Sequence, residues 1–342
     1  MKRVFLILSG FVLLVMIVVA SGLLYLRHWS GQPLLVSSRQ VVEVEPGFSL
    51  YHVAHLLQRE GMLKHGLLLR LYGRLQPSHA MIQAGEYEIT PGMTPAMLLH
   101  KLESGEVVQY SVTLVDGQTF AAFEQSLKET GKITITLDKV KIGDLLHQWG
   151  DSHTNPEGQF FPDTYQFRKG DTDVSILHRA YLRMQQQLQS AWENRAQDLP
   201  YKTPYEALIM ASIVEKETGE PGERAEIAGI FVNRLKKHMR LQTDPTVIYG
   251  LGDQYKGNLT KAHLSEYTPY NTYRIEGLPP TPIANPGLAA IDAALHPAPT
   301  KALYFVAKGD GSHQFSDTLA EHEAAVRKYQ RNRRADYRSS PK

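Results

Sequence analysis

Apolar residues are most concentrated at the start of the chain. Residues 4–26 are apolar apart from Ser and Gly, and basic residues lie on both sides of this run. About twenty such residues cross the hydrocarbon core of a bilayer, whereas the apolar part of a cleaved signal peptide has roughly 7–15. The Val-Val-Ala sequence at residues 18–20 offers a cleavage site, so a signal peptide is the alternative. We expect residues 1–30 to form a short cytoplasmic stub and a transmembrane anchor.

The charges beside this run predict its orientation. Lys2, Arg3 and the terminal amine outweigh Arg27 on the far side, and the more positive flank normally stays in the cytoplasm. The chain contains no cysteine, as suits a protein that faces an oxidising compartment. We therefore expect a single-pass protein of the inner (cytoplasmic) membrane whose main part lies in the periplasm.

A pattern of strand, tight turn, capped helix and terminal glycine occurs three times after the anchor, beginning near residues 42, 87 and 112. The first two units resemble a LysM-like module at residues 40–107, a small fold that commonly binds N-acetylglucosamine polymers. The alternative is a spacer domain that binds no sugar. The third unit opens a bridging strand-helix subdomain at residues 108–150. A change of composition after it marks the start of a further domain at residues 151–335.

The pattern that matters most for function is a helix with apolar side chains on nearly all sides. Thr203 can cap this helix, Pro fits its first position, and Glu206 can return the capping bond. The apolar residues that follow surround most of the helix axis, as expected for a buried helix. Glu217 continues their stripe, since it lies three and four residues beyond Val214 and Ile213.

A carboxyl group at such a position holds its proton more strongly. Burial disfavours the charged form and raises the pKa, which suits a general acid near neutral pH. The alternative is that Glu217 lies at a frayed helix end before Gly219 and pairs with a nearby Lys or Arg. A second amphipathic helix, through about His238, and a polar, aromatic loop at residues 240–250 follow. They can reach the same helix end, which favours the catalytic interpretation.

Five short sequences resemble those of one family of cell-wall enzymes. They are Ala-Ser-Ile-Val-Glu-Lys-Glu-Thr at residues 211–218, Leu-Gln-Thr-Asp-Pro-Thr-Val-Ile-Tyr-Gly at 241–250 and Tyr-Asn-Thr-Tyr at 270–273. Gly-Leu-Pro-Pro at 277–280 with Ile-Ala-Asn-Pro-Gly at 283–287, and Glu-Gly-Gln-Phe-Phe-Pro-Asp-Thr-Tyr at 157–165, complete the set. In their order along the chain, these sequences resemble those of the endolytic murein transglycosylases, the MltG or YceG-like family, over most of the chain from about residue 157 onward.

The resemblance implies a fold, an activity and a catalytic residue. The fold is α+β, with an N-terminal transmembrane helix, the LysM-like α/β module and a largely helical, lysozyme-like catalytic domain at residues 151–335. Such enzymes cut the β-1,4 bond between N-acetylmuramic acid and N-acetylglucosamine of nascent strands without water. The muramyl C6 hydroxyl attacks C1 and leaves a 1,6-anhydro end. One carboxyl then acts first as acid and next as base, and the family's catalytic acid corresponds to Glu217.

The loops after Glu217 supply candidate substrate-binding residues. Their hydroxyl, amide and aromatic groups can bind sugar hydroxyls and acetamido groups, although each can also cap a turn or pack a loop. The candidates are Gln242, Thr243, Asp244, Thr246, Tyr249, Tyr270, Asn271 and Tyr273. We also expect the Pro-rich loop at residues 278–287 to form a wall of the cleft, and Phe160, Phe161 and Tyr165 to stack on sugars or pack in the core.

Two other functions remain open. A hydrolase that cuts the same bond needs a second carboxylate, for which Asp244 is the best candidate and Asp163 the next. A membrane-anchored peptidoglycan-binding scaffold with an inactive site is the other alternative. Arg234 either faces the cleft or belongs to an ordinary solvated face.

Composition and charge narrow the range of partners. The chain has 37 Lys and Arg against 35 Asp and Glu, a formal net charge of +2, which gives no reason to expect a nucleic-acid surface. Fourteen histidines occur without a metal-binding spacing, so we expect no metal or other cofactor. The expected partners are peptidoglycan glycan strands and the inner membrane. The resemblance adds penicillin-binding proteins of the elongation or division machinery.

Overall fold

The chain folds into two compact units. The computed structural model describes residues 2–76 and 82–331, so the last residues of the predicted catalytic domain, 332–335, lie outside the described range. The first unit comprises the chain up to Tyr110 together with Gln166–Gly170, and the second comprises Ser111–Tyr165 and the chain from Asp171 onward. Most of the segment predicted as a bridge, residues 108–150, therefore lies in the second unit.

The N-terminal apolar run forms the long helix α1 (Lys2–Ser30), as the pattern predicts. Its part Val4–Ser30 has a mean hydropathy of 2.9, and it is the one described helix that is long and apolar enough to cross a membrane. At a rise of about 1.5 Å per residue, its 29 residues span about 43 Å. This length and composition fit a membrane anchor or a signal sequence.

The first unit is built on a two-stranded sheet with helices packed against it. β1 (Gln40–Val44) pairs antiparallel with β2 (Gly85–Ile89), and Val42 lies opposite Tyr87. The helices are α2 (Leu50–Arg59), α3 (Gly66–Arg74) and α4 (Pro95–Ser104). Leu57 and Leu69 are fully buried against the sheet residue Tyr87 in a core of their own. This unit therefore has the order strand, two helices, strand and helix.

Two further pairs of strands occur later in the chain. β3 (Tyr110–Thr113) pairs with β4 (Thr164–Phe167). β5 (Tyr304–Ala307) pairs antiparallel with β6 (His313–Ser316), and this hairpin is the closing hairpin that the sequence indicates. The remaining helices are α5 (Phe120–Glu129), α6 (Ile142–Gln148), α7 (Asp173–Glu193), α8 (Pro204–Glu217), α9 (Arg224–Lys236), α10 (Asp244–Leu251), α11 (Lys261–Ser265), α12 (Leu288–Leu295) and α13 (Leu319–Val326).

Helix α8 is the centre of the second unit. It begins where the sequence predicts, because the Thr203 hydroxyl accepts a hydrogen bond from the Glu206 N–H at 3.2 Å and Pro204 occupies the first turn. Residues 207–214 are all buried, and α7, α9, α10 and α12 pack around the helix. Apolar side chains on every side of α8 thus explain both its burial and its central place.

Candidate active site

Glu217 is the last residue of α8 and lies at the edge of a cleft. Thr218 has an extended backbone, with φ −141° and ψ 134°, so the helix ends there. The two preceding members of the apolar stripe, Ile213 and Val214, are fully buried. Glu217 itself is partly buried and lines a hollow of about 360 Å³. The end of a buried helix thus presents a carboxyl group to a cavity that a substrate can enter.

The surroundings of Glu217 favour its protonated form. Burial is the main reason why the pKa of Glu217 rises from its usual 4.5 to about 7; the negative charge of Asp244 also raises it, and a hydrogen bond from the Thr243 hydroxyl to Glu217 Oε1 lowers it. Desolvation of the carboxylate is the largest of these effects. A substantial fraction of the carboxyl groups therefore carries a proton near neutral pH and can donate it.

The loop that precedes α10 holds the partners of Glu217 in place. Gln242 has a φ of 55°, in the left-handed region, and its N–H donates to the Thr272 carbonyl at 3.2 Å. The Thr243 N–H donates to Thr272 Oγ1 at 3.0 Å. Because two consecutive N–H groups bond to one residue of the Tyr-Asn-Thr-Tyr sequence, this loop has a fixed position beside the carboxyl group.

Asp244 is the second carboxyl group of the cleft. It is the first residue of α10, and Pro245 follows it in the first turn. Its Oδ1 accepts a hydrogen bond from the Tyr273 hydroxyl at 2.7 Å. Burial, followed by the bond to Asp244, raises the pKa of Tyr273 above its usual value, so the phenol stays protonated. Both side chains line the cleft together with Gln242.

The opposite side of the cleft is formed by residues from α9, β5 and α13. Arg234 is 6% exposed, and its guanidinium donates to the Arg240 carbonyl at 2.9 Å, to the Leu303 carbonyl at 3.1 Å and to Gln242 Oε1. The guanidinium also lies 5.4 Å from the ring centroid of Tyr304. Arg234 therefore faces the cleft and is not part of a solvated helix face.

The C-terminal part of the chain contributes cleft residues that the sequence did not identify. They are Tyr304, Phe305, Leu319 and His322. Burial and the nearby charge of Arg234 lower the pKa of His322, which favours the neutral imidazole. Its Nδ1 is buried and has no hydrogen-bond partner within residues 2–76 and 82–331.

Five of the eight predicted substrate-binding residues lie outside the cleft lining: Thr243, which bonds to Glu217, and four others. Thr246 and Asn271 are buried, at 0% and 1% exposure. Thr246 bonds to the Thr243 carbonyl at 2.8 Å, and the Asn271 amide donates to the carbonyl groups of His263 in α11 and of Glu266 after it. Tyr249 and Tyr270 pack edge to face, with ring centroids 5.0 Å apart. These residues hold the loops together, and contact with substrate stays a prediction for them.

The Pro-rich loop does not line the cleft of Glu217. Its first part, residues 277–280, lines a separate hollow of about 660 Å³ beside Leu235 and His238. Its second part fixes α8 from the side, since the Ile283 N–H donates to Ser212 Oγ at 3.0 Å and the Gly287 N–H donates to Glu215 Oε2 at 3.1 Å. The expectation of a cleft wall is wrong for this reason.

The three aromatic residues of the sequence at 157–165 pack in the interior. Phe160, Phe161 and Tyr165 are 0%, 7% and 6% exposed. The Tyr165 hydroxyl donates to the Phe161 carbonyl at 2.6 Å. Of the two roles considered for these rings, core packing is the one that their burial allows.

Across the described residues, His, Asp and Glu form no group of three or more that could hold a metal ion.

Comparison with known proteins places the chain in a family. A sequence model of the YceG-like family matches residues 42–328. The chain belongs to the YceG-like family. A protein of Bacillus subtilis named endolytic murein transglycosylase is 33% identical over 305 residues, which cover 84% of this chain and 84% of its own length. A Streptococcus pneumoniae protein of the same name is 26% identical over 331 residues, which cover 86% of this chain and 59% of its own length.

A solved structure extends the likeness to the fold. The crystal structure of a yceG-like protein from Listeria monocytogenes is 28% identical, with a TM-score of 0.52, and covers 84% of this chain and 99% of that chain. The family resemblance drawn from five short sequences is thus confirmed, as is a mixed helix and sheet fold with an N-terminal apolar helix. The LysM-like and lysozyme-like descriptions of the parts stay predictions.

Proposed function

We propose that this YceG-like protein is an endolytic murein transglycosylase. It cuts the bond between N-acetylmuramic acid and N-acetylglucosamine in nascent peptidoglycan, leaves 1,6-anhydro ends and terminates strand elongation. The observation that carries the proposal is the partly buried carboxyl group of Glu217, whose pKa is raised to about 7 at the edge of a polar cleft. The names of its relatives in Bacillus subtilis and Streptococcus pneumoniae support the same activity.

Glu217 supplies both proton transfers of this reaction. It first donates its proton to the leaving oxygen, as a carboxyl group with a raised pKa can do near neutral pH. The resulting carboxylate then accepts the proton of the muramyl C6 hydroxyl as that oxygen attacks C1. The attacking group is already part of the substrate, so its proximity replaces an activated water molecule. The hydrogen bond from Thr243 stabilises the carboxylate between the two steps.

Apart from Thr243, the predicted substrate-binding residues divide into two groups in this proposal. Gln242, Asp244 and Tyr273 present polar groups to the cavity and bind the sugar ring next to Glu217. Asp244 also stabilises the positive charge that grows on the muramyl ring. Thr246 and Asn271, with Tyr249 and Tyr270, keep the two loops at the correct distance from the catalytic carboxyl group.

The remaining parts of the chain serve its location. We assign residues 40–107 to a LysM-like module because the first unit has the order strand, helix, helix, strand within this range, and residues 151–335 to a lysozyme-like catalytic domain. Helix α1 acts as a single-pass anchor in the inner membrane, with its N-terminus in the cytoplasm and the catalytic domain in the periplasm. Penicillin-binding proteins of the elongation or division machinery are the proposed partners, since the substrate is a nascent strand.

Mass analysis of digested peptidoglycan tests the proposal. The full-length protein in detergent should release fragments with 1,6-anhydro-muramyl ends, and Glu217→Gln should release none while remaining folded. Reducing muramyl ends would instead indicate a hydrolytic muramidase, with Asp244 as its second carboxylate. A folded wild-type protein that binds glycan strands and leaves them intact would indicate a scaffold.

A further inference from the structure

A second polar hollow lies in the same unit as Glu217, at the other end of α8. It has a volume of about 430 Å³ and lies between residues 150–153, α7 and the first turn of α8, where Thr203 and Tyr205 line it. We call it the distal hollow. Tyr205 precedes Glu217 by twelve residues on α8, which corresponds to about 18 Å along the helix. The distal hollow is therefore separate from the cleft of the catalytic carboxyl group.

An aromatic pair forms one side of the distal hollow. The rings of His153 and Tyr205 are stacked, with centroids 3.6 Å apart and planes inclined by 14°. The side chain of His153 is 38% exposed. Asp151 Oδ1 accepts hydrogen bonds from the His153 N–H and from its Nδ1, both at 2.8 Å. The imidazole therefore has a fixed orientation, and Nε2 of its neutral form is an acceptor.

Gln159 supplies a hydrogen-bond donor to the same hollow. This residue of the sequence at 157–165 is 1% exposed and belongs to the lining. Its Oε1 accepts a hydrogen bond from Gln185 Nε2 at 3.3 Å, while its own Nε2 has no partner among the residues that the structure describes. Because a buried donor without a partner is unfavourable, an acceptor on a ligand gains a favourable hydrogen bond here.

The backbone next to Gln159 has a fixed position. The Phe160 N–H donates to Asn285 Oδ1 at 3.2 Å, and the Phe161 N–H donates to the Ala180 carbonyl of α7 at 3.0 Å. Both phenylalanine rings are buried. The amide group of Gln159 is therefore held in place before any ligand arrives, as a binding site requires.

The charges of the distal hollow indicate the class of its ligand. None of the described residues that line it is Lys or Arg, and their one carboxylate, Asp151, is already bonded to His153. This lining favours a neutral ligand over the acidic stem peptide. An N-acetylated sugar fits the remaining groups, since its acetamido carbonyl can accept from Gln159 and a hydroxyl can donate to His153. The C–H groups of its ring can pack on the aromatic pair.

A further hollow lies between the distal hollow and the catalytic cleft. Thr203 and Tyr205 also line the hollow of about 660 Å³ that the Pro-rich loop forms. This second hollow reaches Leu235 of α9, which adjoins Arg234 of the Glu217 cleft in sequence. A series of hollows therefore runs along the second unit, and a polymeric substrate can occupy more than one of them.

We propose that the distal hollow is a second glycan subsite, which binds an N-acetylated sugar of the strand several units away from the bond that Glu217 cuts. Gln159 and His153 are the residues that contact this sugar. The inference rests on the proposed function for the identity of the strand. Binding at two places on one chain strengthens the hold on long strands, so the subsite makes the enzyme prefer long strands to short ones.

Photolabelling tests the site without cleavage. An N-acetylglucosamine dimer with a diazirine at its reducing end should be irradiated with full-length Glu217→Gln in detergent, and the labelled peptides mapped by mass spectrometry. Label should appear within residues 150–159 or 203–208, and unlabelled dimer should displace it. His153→Ala and Gln159→Leu, each added to Glu217→Gln, should weaken this label. The inference is overturned if these peptides stay unlabelled, or if only a free stem peptide displaces the label.

Kinetics on strands of defined length test the consequence for catalysis. His153→Ala and Gln159→Leu should each raise the KM for long strands about tenfold, which corresponds to about 1.4 kcal/mol, with kcat within about twofold of wild type. The rise should be smaller for fragments too short to reach the distal hollow, so the preference for long strands should fall. A wild-type KM for long strands in both variants overturns the inference. Absence of 1,6-anhydro products from the wild type would instead refute the proposed function, and the labelling result would stand by itself.

A second histidine in the same unit provides the matched control. His296 Nδ1 lies 2.9 Å from Asp292 Oδ1, and its side chain is 40% exposed, but it lies outside the lining of the distal hollow. His296→Ala should leave the label and the KM unchanged. If Gln159→Leu does not fold, His153→Ala carries the test, because it changes a partly exposed side chain and keeps the backbone bond to Asp151. Equal effects of His153→Ala and His296→Ala would overturn the inference.

Discussion

Replacement of Thr243 by valine should shift the activity of this enzyme toward higher pH. Valine keeps the shape of threonine but lacks the hydroxyl that donates to Glu217. Thr243 is 2% exposed, and its backbone bonds to Thr272 and Thr246 do not involve the hydroxyl. The substitution therefore removes one hydrogen bond from the catalytic carboxyl group and leaves the loop in place.

The size of the shift can be estimated from that bond. A hydrogen bond to a charged group contributes about 1.5–3 kcal/mol, and one pKa unit corresponds to about 1.4 kcal/mol. The bond favours the carboxylate, so its loss should raise the pKa of Glu217 above the present value of about 7. The rise should be about one to two pKa units, and the alkaline limb of kcat/KM, which reports the acid in the free enzyme, should move up by the same amount.

Two further variants test whether the pH dependence of kcat/KM reports the ionisation of Glu217. Asp244→Asn removes a negative charge that raises the pKa of Glu217, so its alkaline limb should move to lower pH. Thr113→Val makes the same chemical change at an exposed hydroxyl bond in β3 and should leave the profile unchanged. The profiles should be measured as release of 1,6-anhydro products at subsaturating peptidoglycan. A limb that is unmoved in Thr243→Val, or that shifts in the same direction in Thr243→Val and Asp244→Asn, would refute the reasoning.

Three other predictions concern stability. Folding raises the pKa of Glu217 from 4.5 to about 7, so the folded state binds this proton more tightly than the unfolded state does. The contribution of Glu217 to the free energy of unfolding, measured with urea, should therefore fall by about 3 kcal/mol as the pH rises from 4.5 to about 7. Glu217→Gln should remove this pH dependence. Arg234→Met should lower the free energy of unfolding by about 2–4 kcal/mol, because buried acceptors such as the Arg240 carbonyl lose their donor. Hydrogen bonds from Thr136 and Leu137 outweigh the effect of burial and hold the pKa of Asp173 below its usual value. Asp173→Asn should therefore have a lower free energy of unfolding than the wild type above pH 3.8. The difference between the two proteins should vanish at lower pH, where the wild-type aspartate is protonated.

Local sequence patterns were sufficient to predict the central helix α8 and the carboxyl group at its end. The cap at Thr203 and the apolar residues that follow define α8 without knowledge of its neighbours, and the stripe that ends at Glu217 already indicates a raised pKa. The sequence could not show that a hydrogen bond from Thr243 opposes the effect of burial on the pKa of Glu217. That bond forms only because a loop 26 residues later in the chain returns to the end of the helix.

The residues that line the cleft could not be predicted without knowledge of the tertiary structure. Asp244 faces the cavity while Thr246, two residues further along α10, is fully buried, and the short motif gives no sign of this difference. Tyr304 and His322 reach the cleft because β5 packs beside α9 and the helix α13 packs against β5 and β6, and no motif marks either residue. The Pro-rich loop was misplaced for a similar reason, since its backbone bonds to Ser212 and Glu215 fix α8 rather than the cleft.

The source of the oxygen at the new muramyl ends tests the central claim most directly. Peptidoglycan should be digested by the full-length enzyme in oxygen-18-labelled water and the fragments weighed by mass spectrometry, with Glu217→Gln as the control for background cleavage. The account predicts 1,6-anhydro ends without the heavy isotope, because the C6 hydroxyl of the substrate attacks C1. One heavy oxygen in each newly formed muramyl end would show that water attacks, and would contradict the account.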